Sequence, residues 1–397
     1  AILLPNEDEW TRDAKELDAK FTDDGYAPVI MYAQDDADEQ ASQVSDMTEE
    51  GVSAMVIAPV DPYGLSEELK AAKEAEIPVI AYDDLIMNTD GVKYYVTFGG
   101  RQIGQLIGQE IIDKEELEKL QEAKESKTIE FLMGSLDDTQ ALFFYNGLME
   151  KLQPYLDDGT LVCKSGQITF EETGILRWSM DKAQSRAEDI LEEAYQDGEA
   201  PDIICTGFDG AAEGAVNALQ NNGLTPGENW PMITGVGCDA DAVRDIAESE
   251  IACSVFMDRR VLADQAEDMV NVYLHGEDDP EVNDYEQYDN GTKIIASYLC
   301  EPQLINIDNY EILIDSGYYT EDEVKPETTP TPEPTVTPEI TEEPDVTATP
   351  EVTESPEATI TPEVTEESEE TATPTPTEKV TPTPKERITL KRSTKNK

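Results

Sequence analysis

The chain contains a single histidine among its 397 residues, and this scarcity excludes several kinds of active site. A Ser-His-Asp triad or a zinc site built on imidazoles requires side chains that the sequence does not supply. His275 stands before Gly276 at the end of an amphipathic pattern, where an imidazole stabilises a helix C-terminus. Neither a G-x-S-x-G motif, a P-loop nor a G-x-G-x-x-G motif is present. We therefore expect no catalytic residue, no cofactor and no metal ion.

Basic side chains are also scarce: 28 lysines and arginines stand against 88 aspartates and glutamates, which gives a net charge of −60. Most of this charge precedes residue 325, in the part of the chain with a globular composition. Nucleic-acid binding requires clustered lysine and arginine side chains. Such an acidic surface is also repelled by anionic membranes and anionic substrates. The charge therefore excludes a nucleic-acid partner.

Cysteines are few and odd in number, and no C-x-x-C spacing occurs among them. This pattern indicates neither a disulfide scaffold nor a structural zinc site. Cysteine otherwise behaves as a small buried hydrophobe, and this is the role that we expect. A single disulfide remains an alternative. The five residues are Cys163, Cys205, Cys238, Cys253 and Cys300.

Adjacent acidic residues offer two alternative interpretations that we consider weaker. Asp83 with Asp84, or Asp137 with Asp138, could serve as paired glycosidase carboxylates. With 88 acidic residues, however, such pairs are expected by chance. The acidic run at residues 35–38 lacks the glycine and spaced glutamate of a dedicated calcium loop. A solvated turn is the better interpretation of that run.

Short apolar segments alternate with amphipathic ones from residue 1 to about residue 300. Residues 55–58, 78–82, 128–133 and 202–205 have the apolar runs typical of buried parallel strands, and residues 65–75 have a helical pattern. A β-α-β-α rhythm predicts parallel sheets covered by helices on both faces. Because one sheet would be large for about 300 residues, we predict an α/β fold with two lobes.

The composition changes at residue 326. Thirteen of the 24 prolines lie beyond residue 325, and no lysine or arginine occurs between Lys325 and Lys379. A segment rich in threonine, proline and glutamate buries too little apolar area to fold. We therefore predict a disordered, extended linker over residues 323–384, followed by a short basic tail over residues 385–397.

Aromatic and carboxylate side chains recur just after the predicted strands. Ligands of such sheets bind beyond the carboxyl ends of the strands. A saccharide requires flat aromatic faces for its C–H groups and planar carboxylates or amides for its paired hydroxyls. The candidate ligand-binding residues are Trp10, Asp83, Asp84, Asp137, Gln140, Trp178, Phe208, Asp209, Asp239 and Met257.

Several longer motifs carry a family resemblance over residues 1 to about 322. The most specific are at residues 79–83, 94–98, 134–147, 176–178 and 288–291. Together they resemble the xylose and multiple-monosaccharide branch of the type I periplasmic binding proteins. The resemblance implies two Rossmann-like lobes with parallel sheets, joined by a hinge of three crossover strands. An amino-terminal lobe is expected over residues 1–112 and 259–297, and a carboxyl-terminal lobe over residues 113–258 and 298–322.

The resemblance also implies a function and roles for single residues. It identifies Asp83 as a sugar-contacting aspartate, Trp10 and Trp178 as stacking aromatics, and Asp239 as a further aspartate of the pocket. The implied protein is a monomeric, extracytoplasmic monosaccharide receptor that closes about its hinge and delivers the ligand to an ABC importer permease or a membrane sensor. A surface-anchored sensor or adhesin without transport, and less so a glycosidase, are the alternatives.

Departures from the family pattern concentrate at the expected pocket. Asp84 replaces an arginine after Asp83, Glu9 replaces an arginine before Trp10, and Met257 replaces a lysine. A pair of asparagines is replaced by Thr139 and Gln140, and an Asp-Asn pair by Gly99 and Gly100. Fewer charge-assisted donors remain for sugar oxygens. We therefore expect a ligand different from that of the relatives, such as an amino sugar or a saccharide held through a cation, or a cleft without sugar affinity.

Overall fold

The structure is a computed structural model that describes residues 1–195, 198–227, 229–276 and 279–325. The basic tail predicted at residues 385–397 lies outside the described residues, as does the predicted linker from residue 326 onward. Within the described ranges, no helix is both long and apolar enough to cross a membrane.

Strands and helices alternate along most of the described chain. The strands are β1 (Ile2–Leu4), β2 (Ile30–Tyr32), β3 (Met55–Ile57), β4 (Val79–Tyr82), β5 (Val92–Phe98), β6 (Lys127–Leu132), β7 (Leu161–Val162), β8 (Ile203–Thr206), β9 (Met232–Ile233), β10 (Cys253–Phe256), β11 (Ser297–Cys300) and β12 (Gln303–Asn306). The helices are α1 (Glu7–Asp23), α2 (Ala37–Glu50), α3 (Ser66–Glu74), α4 (Gly100–Lys114), α5 (Leu117–Ala123), α6 (Thr139–Asp158), α7 (Phe170–Thr173), α8 (Met180–Ala194), α9 (Asp209–Asn221), α10 (Ala240–Ala247), α11 (Arg259–His275) and α12 (Ile312–Asp315). A 3₁₀ turn covers Leu176–Trp178.

Two separate sheets form the centres of two lobes. The first has the order β11-β5-β4-β3-β1-β2, and all of its strands are parallel. The second has the parallel order β7-β6-β8-β9, and a bridge between Thr234 and Cys253 joins it to the antiparallel pair β10-β12. Central strands such as β3 and β4 are buried along their whole length, which explains their uniformly apolar sequences. The predicted α/β class with two parallel sheets is confirmed.

The described chain passes between the two lobes three times, which confirms the predicted three-strand hinge. The first crossing comes after β5, the second comes after β10, and the third joins β11 to β12. Helix α4 packs on α6 of the second lobe, and α11 packs on α1 of the first. The lobe limits stay predictions, but the packing of α4 leads us to propose a first crossing near Gly99 rather than at residue 112. Because β11 pairs with β5 in the first sheet, we also propose to assign β11 to the first lobe.

The contact of α4 with α6 depends on glycines that allow two backbones to approach closely. A Cβ atom on Gly104 would lie 2.0 Å from the carbonyl oxygen of Phe144, and one on Gly147 would lie 2.0 Å from that of Arg101. Each added methyl group would therefore meet backbone atoms, which cannot turn away as a flexible side chain can. The two helices are packed at a separation that only glycine permits.

We expect Gly104→Ala to lower the free energy of unfolding by about 1–3 kcal/mol, because overpacking forces the helices apart. Urea denaturation followed by circular dichroism measures the change. Gly99→Ala is the control, since its added Cβ would make only ordinary contacts of 3.5 Å or more. Equal stability of the two variants would show that α4 and α6 can separate without loss.

The cysteines occupy the interior, as their sequence pattern predicts. All five thiols are free, and four of them are buried while Cys163 is half-buried. Burial raises the pKa of Cys205 to about 12, so this thiol stays neutral. The four buried cysteines act as small apolar side chains of the core.

Candidate ligand-binding cleft

Two adjoining cavities separate the lobes at the carboxyl ends of their strands. The first, here called the α6 cavity, has a volume of about 300 Å³ and lies between the loops after β4 and β5 and the start of α6. The second, the α1 cavity, has a volume of about 310 Å³ and lies at the start of α1. Met257 and Arg259, from the passage between β10 and α11, line both. The two cavities therefore belong to one cleft.

Arg259 holds together the first-lobe wall of this cleft. Its Nε donates to Oδ1 of Asp13 at 2.8 Å, and a terminal nitrogen donates to Oδ2 of Asp83 at 2.9 Å. The Tyr82 hydroxyl donates to the same Asp13 oxygen at 2.6 Å. Burial alone would lower the pKa of Arg259, but the charges of Asp83 and Asp13 raise it well above its usual value. The guanidinium is thus permanently charged and engaged by two carboxylates.

Asp84 and Asp138 face the α6 cavity from opposite lobes. Asp84 follows β4, while Asp138 caps α6 and accepts from the backbone N–H of Gln140 at 2.7 Å. Burial and then repulsion from Asp138 and Asp83 raise the pKa of Asp84 well above its ordinary value. Burial raises the pKa of Asp138 to about 6, although backbone N–H groups at the start of α6 counteract it. Neither carboxylate forms an ion pair within the described ranges.

Gln140 lines the same cavity and binds the first lobe through its side-chain amide nitrogen. Its Nε2 donates to the Tyr95 hydroxyl at 2.8 Å and to the Thr97 hydroxyl at 2.9 Å. The Tyr95 hydroxyl donates in turn to the carbonyl oxygen of Asp83, so it can only accept from Gln140 and fixes the orientation of the amide. The Oε1 atom is buried and has no hydrogen-bond partner in the described structure. It lies beside Gly100, where a Cβ would come within 2.8 Å of it.

Trp178 and Phe208 form an aromatic wall on the second lobe. Their rings meet edge to face with centroids 5.4 Å apart. Arg177 and Trp178 both have left-handed backbone conformations, with φ of 61° and 51°, and the Arg177 N–H donates to the Ser135 hydroxyl at 2.7 Å. The indole lies over Gly134, where a Cβ would lie 2.4 Å from the ring. An uncommon turn and a glycine together position the indole face.

The α1 cavity combines aromatic and charged groups from four parts of the chain. Trp10 lies near Tyr82, with ring centroids 6.3 Å apart, and under the Arg259 guanidinium at 5.1 Å. Arg12 donates to the Tyr318 carbonyl at 2.8 Å and lies 3.9 Å from the centroid of the Tyr318 ring. Asp239 lines the opposite side. The C-terminal end of the described chain thus closes this part of the cleft.

Eight of the ten candidate residues predicted from the sequence line these two cavities. Two do not: Asp137 is exposed and accepts from the Ser135 hydroxyl, and Asp209 is only 1% exposed. Asp209 accepts from the Ser254 hydroxyl at 2.7 Å and from the Asp239 N–H at 2.8 Å. Burial and then the charge of Asp239 raise its pKa to about 7. Its contacts indicate a support for the cleft wall, and a ligand contact for either residue stays a prediction.

Sequence reasoning missed Arg259, Arg12 and Asp138. Arg259 stands two residues after Met257, at the passage from β10 to α11, and that proximity was a usable signal. The cap position of Asp138 before α6 was equally readable, since aspartate commonly caps helices. Arg12 carried no such signal, because its partner Tyr318 is distant in sequence and the fold alone brings them together.

Comparisons with known proteins identify the family. The sequence model of the family described as periplasmic binding protein domain matches residues 1–278 of this chain. The multiple sugar-binding periplasmic receptor ChvE of Rhizobium radiobacter is 38% identical over 318 residues, which cover 80% of this chain and 88% of the receptor. The multiple sugar-binding periplasmic protein SbpA of Azospirillum brasilense is 36% identical over 82% of this chain and 90% of its own.

Solved structures show the same fold. A solute-binding protein of an ABC transporter from Clostridium phytofermentans, with bound β-D-glucose, superimposes with a TM-score of 0.74 and 39% identity, covering 82% of this chain and 99% of its own. A carbohydrate transporter solute-binding protein from Chloroflexus aurantiacus, in complex with D-glucose, gives a TM-score of 0.68 and 26% identity. The match covers 81% of this chain and 96% of that protein. The matched family consists of binding proteins, and this chain is accordingly not an enzyme. The resemblance inferred from the sequence motifs is therefore confirmed, and the chain belongs to the family of periplasmic binding protein domains.

Proposed function

We propose that this protein is an extracytoplasmic receptor that binds a monosaccharide or a related saccharide in its cleft and delivers it to an ABC importer. The observation that carries the proposal is the α6 cavity, which is lined by residues of both lobes. Its first-lobe wall supplies Asp83 and Asp84, and its second-lobe wall supplies Trp178 and Phe208. Aromatic faces and planar oxygen acceptors are the groups that recognise a sugar ring. Relatives named as periplasmic sugar receptors support this proposal and its location.

Closure follows from the position of the site between two lobes. A ligand that touches both walls interacts more strongly with the closed arrangement than with an open one, and it shifts the population by that difference. Met257 and Arg259 stand in the passage after β10 and line both cavities, which supports a contact between the ligand and the hinge. A membrane permease then distinguishes the loaded receptor from the empty one by its closed shape.

Titration calorimetry with a panel of pentoses, hexoses and amino sugars tests the receptor function. We expect at least one monosaccharide to bind with a Kd in the micromolar range or tighter, and small-angle scattering to show a more compact protein with that sugar. Absence of binding across the panel would contradict the proposal. Purification of the protein together with its membrane partners distinguishes an importer receptor from an anchored sensor or adhesin. Only an importer receptor is expected to retain a permease.

Trp178→Ala should weaken binding of the recognised sugar about tenfold, or about 1.4 kcal/mol, because the stacking face of the second lobe is removed. Calorimetry on the purified variant measures the loss. Tyr285→Ala provides a control, since this aromatic ring is 64% exposed and lines neither cavity. Unchanged affinity in Trp178→Ala would show that the indole is only a packing residue against Phe208.

A further inference from the structure

We propose that the α6 cavity recognises a protonated amino sugar, whose ammonium group lies between the carboxylates of Asp84 and Asp138. The inference rests on the saccharide-receptor function proposed above and specifies its ligand class. It concerns the charge and the donor pattern of the ligand rather than its stereochemistry.

The balance of charge in the cavity is the first support. Three carboxylates line it, those of Asp83, Asp84 and Asp138, and Arg259 is the only described basic residue that lines it. Arg259 is occupied by Asp83 and by Asp13. Asp84 and Asp138 therefore lack a cationic partner within the described part of the chain. Both side chains are half-buried, so solvent compensates their charges only in part, and a cationic ligand supplies the missing charge from outside.

The donor pattern of an ammonium group is a second support. The group has three N–H donors and no acceptor, so it can donate to Asp84 and to Asp138 at once. A sugar hydroxyl donates only one hydrogen bond and satisfies one of these two carboxylates.

The dimensions and walls of the cavity favour an organic cation over a metal ion. Calcium takes six to eight oxygen ligands, and no group of three histidine, cysteine, aspartate or glutamate residues in the described structure is arranged to hold a metal. The cavity of about 300 Å³ also has aromatic walls from Trp178, Phe208 and Phe144. A bare ion makes no use of those rings, whereas a pyranose ring packs against them.

Placement between the lobes links this contact to closure. Asp84 belongs to the first lobe and Asp138 to the second, so closing the empty cleft brings two like charges together. Repulsion between them is relieved when an ammonium group enters. A neutral sugar leaves the repulsion in place, or it requires one carboxyl to hold a proton. The cleft therefore favours closure around a cationic ligand over closure around its neutral counterpart.

Titration calorimetry at pH 7 tests the inference with matched pairs of ligands. The probes are the 2-, 3- and 6-amino derivatives of glucose and the 2-amino derivatives of galactose and mannose, each compared with its parent hexose. The N-acetylated forms of the 2-amino sugars keep the nitrogen but remove its charge. We expect at least one amino sugar to bind tenfold or more tightly than its parent hexose and, if it is a 2-amino sugar, than its N-acetyl form as well.

Variants of the two carboxylates identify the contact. Asp84→Asn and Asp138→Asn should each weaken the preferred amino sugar about tenfold more than they weaken its parent hexose. Asp18→Asn is the matched control, because Asp18 is exposed on α1 and lines neither cavity. Thermal melting of each variant confirms that it is folded. If both cleft variants retain the wild-type preference for the charged sugar, the ammonium does not bind between these carboxylates.

The remaining outcomes separate this inference from the receptor function. Tighter binding of a parent hexose than of all the amino sugars overturns the inference and leaves the receptor function intact. Hexose binding that requires added calcium, and disappears with a chelator, also overturns it in favour of a metal-bridged saccharide. If no sugar of either kind binds, both the inference and the receptor function fail.

Discussion

Replacing Arg259 by alanine is expected to lower the free energy of unfolding by about 3–5 kcal/mol and to abolish measurable sugar binding. The change leaves Asp13, which is 2% exposed, and Asp83 without their shared cation. Removing one partner of a buried ion pair leaves an uncompensated charge, and this effect is far larger than the net contribution of the pair itself. Burial already raises the pKa of Asp13 despite the guanidinium beside it. Without Arg259 this carboxyl must take up a proton or move, and either change disrupts the wall beneath Asp83.

Arg101→Ala is the matched control for this variant. Arg101 forms an ion pair with Glu150 at 2.6 Å, and the two side chains are 49% and 40% exposed to solvent. Exposed ion pairs contribute about 0–1 kcal/mol, so the loss of this arginine should be nearly silent. Chemical denaturation of both variants and calorimetry with the recognised sugar measure the difference. Similar stability of the two variants would show that Asp13 and Asp83 find other partners when Arg259 is removed.

Arg259→Lys separates charge from geometry. Lysine keeps the positive charge but cannot donate along two directions fixed by a planar group. We expect most of the stability to return with this variant, because one ammonium still compensates the carboxylates. Sugar binding should stay impaired, since Asp83 is no longer held in place. Full recovery of both properties would assign Arg259 a purely electrostatic role.

Acidification from pH 8 to pH 5 is expected to stabilise the protein, and Asp209 should make one of the largest single contributions. Burial raises the pKa of Asp209 from 3.8 to about 7 in the folded protein, a difference that corresponds to about 4 kcal/mol. Between about pH 4 and pH 7 the folded protein therefore binds more protons than the unfolded chain, and stability falls as the pH rises through that range. Glu213 and Asp138, with pKa values raised to about 7 and about 6 by burial, act in the same direction.

Asp209→Asn isolates the contribution of that carboxyl group. An asparagine oxygen can accept from the Asp239 N–H, while its nitrogen donates to the Ser254 hydroxyl, which can either donate or accept. The variant should therefore lose part of the stabilisation on acidification and match or exceed the wild-type stability at pH 8. Melting temperatures over the pH range measure this, with Asp18→Asn as a control of the same chemical change at an exposed site. An unchanged pH profile would show that Asp209 is ionised throughout.

Much of the fold could be predicted because buried parallel strands have a distinctive sequence pattern. Residues 55–58 and 78–82 were predicted as strands, and β3 and β4 occupy these positions. Helix α3 (Ser66–Glu74) lies within the predicted helical range of residues 65–75, and His275 ends α11 as expected. These predictions succeed because apolar runs and helical periodicity are local properties.

The candidate site was predictable only where a strand end revealed it. Asp83 and Asp84 follow β4 directly, so their place at the cleft could be inferred from the order of strands alone. The role of Arg259 could not, because it depends on Asp13 and Asp83, which lie 246 and 176 residues away. The same reasoning failed to distinguish Asp137 from Asp138, since both lie in the turn before α6, where one side chain is exposed and the next lines the cavity. Packing between lobes decides such details, and sequence periodicity carries no record of it.

The placement of the tryptophans has an optical consequence. The chain has three of them, and Trp10 and Trp178 stand on the walls of the two cavities. Trp230 lies elsewhere on the second lobe, where its Nε1 donates to the carbonyl oxygen of Glu250 at 2.7 Å. Occupation of the cleft changes the surroundings of the first two indoles while the third provides a constant background. The intrinsic tryptophan fluorescence of the unlabelled protein therefore reports loading and release of the ligand, and saccharides do not fluoresce at that wavelength.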